Sequence, residues 1–148
     1  MNRRPPGVAA SDRGATAVEF ALLVPLLLLL VFGIIDFGRA LNAQITITQA
    51  AREGARLAAL GQSASTVQTR TIGAALGLNL GAGNVAVSGG SGGVSGSGQA
   101  CPAGSAALGQ NATVTVTYTF SFVTPVGSIG GFGSTLQQTA QGVMPCET

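Results

Sequence analysis

The run from Phe20 to Ile35, "FALLVPLLLLLVFGII", carries no charge over sixteen positions, and no other feature restricts this chain as much. Counted from Ala15, the apolar stretch holds twenty-one residues. As a helix rising about 1.5 Å per residue it would be about 31 Å long, close to the hydrocarbon thickness of a bilayer. One membrane-spanning helix is therefore expected, with Pro25 inside it, a residue that membrane helices tolerate, usually with a bend. Glu19 stands at the start of the run. An acid in hydrocarbon costs about 2.5–3.5 kcal/mol even on the gentler insertion scales, so such residues are as a rule functional.

The remaining sequence divides around that span. Residues 1–14, "MNRRPPGVAASDRG", are polar and basic and read as a short, disordered leader. Beyond the span a helical pattern continues through residues 36–60, and Gly61 is a plausible stop. Ala50, Gly54 and Ala58, and again Ala51, Ala55 and Ala59, recur at every fourth position. Such rows admit another element closely, and two readings stand open: packing on this subunit's own sheet, or packing between subunits. Residues 62–80 are expected to hold a second, short helix with Ser65 as its N-cap. "NVAVS" at 84–88 reads as a short strand and "GGSGGVSGSGQ" at 89–99 as a flexible Gly/Ser-rich loop. Val114, Val116, Tyr118, Phe120 and Phe122 alternate with Thr113, Thr115, Thr117, Thr119 and Ser121. That period of two predicts a strand with one buried face. Pro125 ends it, glycines 127, 130, 131 and 133 turn the chain, and "TLQQTAQGVM" at 135–144 returns antiparallel. The expected fold is α+β: a long N-terminal helix, transmembrane in its first half, packed on a small antiparallel sheet.

Composition narrows the function. Histidine and lysine are absent, which removes the imidazole base, the Schiff-base lysine and the P-loop lysine. Two cysteines are too few for a zinc site, and the five carboxylates form no obvious catalytic pair. An enzyme is not expected, nor is a metal or any other cofactor. A net charge of +2 with 8% charged residues does not suit a nucleic-acid partner. Basic residues flank the span on both sides: Arg3, Arg4 and Arg13 before it, Arg39, Arg52 and Arg56 after it. Charge alone therefore leaves orientation near a tie. The short leader and the late cysteines favour an N-terminus inside the cytoplasm and a C-terminal domain, residues 62–148, outside. There Cys101 and Cys146 are expected to form a disulfide, since the returning strand brings its end beside the start of its partner and two cysteines allow one intramolecular pairing. Two free thiols, or a bridge to another subunit, are the alternatives.

The motif that opens the span is Gly14, four residues, then Glu19 and Phe20, with Arg13 before the glycine. This resembles the processing site of type IV pilin-like precursors. The resemblance implies cleavage after Gly14 by a membrane aspartyl prepilin peptidase, release of residues 1–14 and a new N-terminus at Ala15. Glu19 then becomes the fifth mature residue, placed to neutralise the terminal ammonium of an adjacent subunit, since paired charges are less costly than single ones in lipid. The other reading of Glu19 is an acid that reaches back to the headgroups from an ordinary anchor. The whole segment from Arg13 to Ala59 further resembles the TadE-like domain of tight-adherence (Flp) pilus systems, on four features: G-x-x-x-x-E-F, the Pro-interrupted leucine run, the Gly-x-x-Asp-Phe-Gly-Arg exit at 33–39, and "AAREGAR" at 50–56. It implies a pseudopilin or minor pilin of the inner membrane that works with other pilins and an assembly platform. The 15–61 segment would be its transmembrane and TadE-like helix. Arg52, Glu53 and Arg56 are either a solvated helix face, with a Glu53–Arg56 pair worth a few tenths of a kcal/mol, or an assembly contact. The rival to this whole reading is a secreted or bitopic envelope protein with an ordinary signal peptide, cut near Ala43, or an ordinary anchor.

Overall fold

The computed structural model describes residues 11–90, 92–94, 96–102, 109–124, 131 and 133–147. One helix, α1 (Ser11–Ala59), runs for 49 residues and contains Pro25. It begins earlier than expected. The first ten residues of the expected leader lie outside the described residues, but residues 11–14 are helical rather than disordered. Once the apolar helix has nucleated, each residue added to its end gains a hydrogen bond at little further cost.

At its other end α1 stops as the sequence requires. Gly61 has φ of 71°, its N–H donates to the Ala58 carbonyl, and the Gln62 N–H donates to that of Leu57. This is a Schellman closure, in which a left-handed glycine lets the chain satisfy its last carbonyls. The second helix, α2 (Ala64–Ala74), is capped by Ser63, whose side chain accepts from the Thr66 N–H. The expected cap, Ser65, instead lies in the first turn. The segment 89–99 explains the shift. Its Gly98 and Gly96 carbonyls accept from the Ala64 and Ser65 N–H groups, so the helix can start two residues earlier with its first donors satisfied.

Four strands form one antiparallel sheet in the order β2-β1-β3-β4: β1 (Val85–Gly89), β2 (Gly92–Val94), β3 (Asn111–Ser121) and β4 (Thr135–Pro145). The expected flexible loop at 89–99 is corrected here. Gly89 closes β1, residues 92–94 pair back on it, and Gln99 bridges Ser63 and donates to the Gly61 carbonyl at 2.6 Å. Ser91 and Ser95 lie outside the described residues, as do residues 125–130 of the β3–β4 connection, glycines 127 and 130 among them. β3 and β4 pair across their whole length, from Asn111↔Pro145 to Ser121↔Thr135. The alternation read in β3 is the alternation found: Val114, Val116 and Phe120 are buried, and Ala112 extends that face.

The second half of α1 lies on this face and runs in the same sense as β4. Gln138 Nε2 donates to the Ala40 carbonyl, Gln44 Nε2 to that of Thr139, and the Glu147 N–H to that of Ala59. Ala50, Ala51, Ala55 and Ala58 are wholly buried, and Ala59 nearly so. A Cβ on Gly54 would run into Thr71 of α2 and Val114 of β3. Both small-residue rows are thus consumed by packing within the subunit, which overturns their reading as an intersubunit surface.

Candidate functional site

Three groups of functional candidates sit at different heights along α1. The lowest is the motif at its start. Gly14, Ala15, Glu19 and Phe20 all lie on the helix and all are exposed. Glu19 is four residues beyond Ala15, so the two share one helical face. Position 14 has neither a left-handed backbone nor a close neighbour: a Cβ there would meet nothing within 4 Å. Packing within the subunit therefore gives no reason for a glycine, and a helix-interior glycine costs roughly 0.5–1 kcal/mol relative to alanine. From Val18 to Ile35 the large apolar side chains stand uncovered, apart from the partly buried Val24. The helix is long and apolar enough to cross a membrane, a candidate membrane anchor.

The second group closes that span. Asp36 follows it directly and is buried although charged. Its Oδ2 accepts from the Thr124 hydroxyl and from the Thr124 N–H at 3.1 Å, and its Oδ1 from the Val123 N–H at 3.4 Å and from Arg39 Nη1 at 3.2 Å. These contacts, the Thr124 hydroxyl foremost, hold the carboxyl below its ordinary range, against the opposing effect of burial. The Arg39 guanidinium also lies 5.2 Å from the centre of the Phe120 ring, which meets Phe122 edge to face at 5.4 Å. The Gly-x-x-Asp-Phe-Gly-Arg exit thus latches the end of β3 to the helix as it leaves the apolar stretch. Sequence reasoning placed Asp36 in the motif but gave it no role. The signal was an acid directly after a charge-free run; its partner lies 88 residues away and leaves no local trace.

The third group is distal. Arg52, Glu53 and Arg56 are exposed on α1. Glu53 and Arg56 approach to 3.8 Å as an i,i+3 pair, while Arg52 borders a shallow depression with Gln44, Ile45, Thr48 and Gln49. The three groups are not brought together into one site; α1 strings them along its length. Beyond the helix end Cys101 and Cys146 are joined by a disulfide, with Cα atoms 5.5 Å apart. The expected pairing is the one the β3–β4 register produces, with the Cys146 N–H donating to the Gln110 carbonyl just past the last strand pair.

Neither a curated protein nor a solved structure matches the chain. A family model does, and its limits follow the geometry: it begins at Gly14, at the start of the exposed motif, and ends at Arg56 in the last turn of α1. That model describes TadE-like proteins, and it matches residues 14–56 of this chain.

Proposed function

We propose that this chain is a membrane-anchored pseudopilin or minor pilin that supports assembly or export of a tight-adherence pilus. The observation that carries the reading is the TadE-like match over 14–56, laid on a helix whose first half is apolar and uncovered. A TadE-like segment connects the chain to the tight-adherence pilus system, in which its role is structural. In this reading a prepilin peptidase cuts after Gly14, Ala15 carries the new ammonium, and residues 15–35 span the inner membrane with the N-terminus inside. The folded domain stands outside the cytoplasm, where its disulfide is permitted. The new amine and Glu19 lie one helical turn apart, so Glu19 can meet its own terminus or that of a neighbour; the neighbour gives assembly a charge requirement. Other pilins and the inner-membrane platform are the partners, with Arg52, Glu53 and Arg56 available to them on the helix.

The secreted alternative needs a cut near Ala43. There α1 is continuous and the Ala43 side chain is buried, so such a cut would remove the part of the helix that fills the lower core.

Glu19→Val tests the assembly role. Losing the acid favours insertion, so the variant should reach the membrane and mature at wild-type levels, yet a strain carrying only this form should lack pili. Normal piliation would remove Glu19 from assembly.

A further inference from the structure

We infer that the membrane-proximal end of the folded domain is a second membrane contact, seated at the boundary of headgroups and acyl chains beside the helix. The inference rests on residues 15–35 being a bilayer span. Asp36 is the first residue beyond that span, and through the Val123 and Thr124 N–H groups it fixes the end of β3 at its own height. β4 begins at the same level, because Thr135 pairs with Ser121. The domain therefore cannot stand off on a stalk. Its lower edge is hydrogen-bonded to the helix where the helix leaves hydrocarbon.

What that edge presents is apolar. Phe37 is 65% exposed, Val123 75% and Leu136 44%. Between α1 and the ends of β3 and β4 lies a mainly apolar groove of about 490 Å³, walled by Gly33, Phe37, Leu41, Phe122 and Leu136, with Asp36, Gln44 and Gln138 also reaching it. Gly33 belongs to the span and Leu41 lies about 9 Å beyond its end along the helix axis. The groove thus starts inside the hydrocarbon and crosses the headgroup layer, about 5–8 Å thick on each side, with Gln44 at its far end. Continuity with the span identifies the occupant as lipid: the groove opens at Gly33, and Asp36, the polar group at its entrance, is buried with both oxygens already bonded to Val123, Thr124 and Arg39. Charge agrees: no charged residue occurs between Phe120 and Cys146, and the two charges that α1 brings to this level, Asp36 and Arg39, are paired with each other at 3.2 Å. The distal end also exposes Leu60, Val143 and Met144, but isolated exposed apolar side chains are ordinary.

The test uses the full chain, disulfide intact, in phosphatidylcholine–phosphatidylglycerol nanodiscs. A fluorophore is placed on single added cysteines at Leu28, Val123 or Leu60, with Phe37 as a second edge position. Lipids bearing a nitroxide near the headgroup should remove most of the signal at Val123 and Phe37 and leave Leu60 unchanged. Lipids labelled deep in the acyl chain should quench Leu28. Quenching at Leu28 with Val123 and Phe37 as bright as Leu60 overturns the inference and leaves the span standing. No quenching at Leu28 removes the span and the inference with it. Protection of Val123 from a water-soluble quencher without quenching by lipid, increasing with protein density, assigns the edge to a second copy and also overturns the inference.

Discussion

The two halves of α1 share one unbroken backbone and have opposite side-chain chemistry. The first half shows Leu, Val, Phe and Ile to its surroundings and buries almost none of them. The second half is sealed against the sheet and α2 by Ala40, Ala43, Ala50, Ala51, Ala55 and Ala58, with Ile47 as the one large wholly buried side chain of its row. The difference is one of size more than of polarity. Large apolar side chains serve where the neighbour is fluid or another subunit, because area removed from water is what counts. Small ones serve where a rigid neighbour must come close. At the closest approach β4 uses glycine too: a Cβ on Gly142 would fall on the Ala51 carbonyl, inside contact distance.

That contrast can be broken most strongly at the distal staple. The disulfide closes a sequence separation of 45 residues, and in the chain-entropy model such a loop adds up to about 4 kcal/mol. A Cys101→Ser, Cys146→Ser protein should therefore lose most of the resistance of the domain to urea. The helicity of the span in detergent should stay unchanged, since nothing in the first half touches the bridge. Equal loss in both halves would show that they fold as one unit.

Next in size is Gly142→Ala. One added methyl must push back a main chain and not a flexible side-chain end, and overpacking of this kind typically costs about 1–3 kcal/mol. Removing far more volume from the first half, by Leu27→Ala at a site 61% exposed, should change the stability read from the same urea titration by less than about 0.5 kcal/mol. If the two variants behave alike, side-chain size is not what separates the halves.

The smallest effect belongs to the junction. Asp36 titrates below its ordinary value in the folded chain, so the unfolded chain holds the proton more tightly. Its contribution is then complete above the ordinary carboxyl range, near pH 4, and is lost as pH falls through the lower folded value. The wild-type domain should lose stability on acidification over that window. Asp36→Asn should be less stable at neutral pH and show a shallower acid dependence. Acid unfolding profiles of the two proteins compare this directly, and parallel profiles would deny the latch its charge.

These contrasts also mark what could be read in advance. The apolar first half of α1, its stop at Gly61 and the faces of β3 follow from charge-free length, a left-handed glycine and a period of two, all local signals. The bridge between Cys101 and Cys146 followed from having only two cysteines and a returning strand. β2 had no such signal. Gly92, Gly93 and Val94 carry no periodicity, and they are a strand only because β1 offers an edge to pair with. Ser63 displaced Ser65 as a cap because carbonyls from residues 96 and 98 satisfy the first turn, a contact made across some thirty positions. The rows of alanine were visible, but what they face was not, since small residues admit a sheet of the same chain as readily as another subunit. Gly33 and Gly38 stay without an account inside the subunit, because a Cβ at either would meet nothing within 4 Å.

We propose that α1 begins its working life at Ala15, as the anchor of a processed pilin-like protein. N-terminal sequencing of the membrane-extracted protein tests it most directly, with Gly14→Leu beside the wild type. The mature wild-type chain should start at Ala15 and place Glu19 fifth, and the Gly14→Leu protein should keep its full leader, because a bulky side chain does not fit a site that accepts glycine. A wild-type chain that retains Met1, or one that starts near Gln44, would contradict the account.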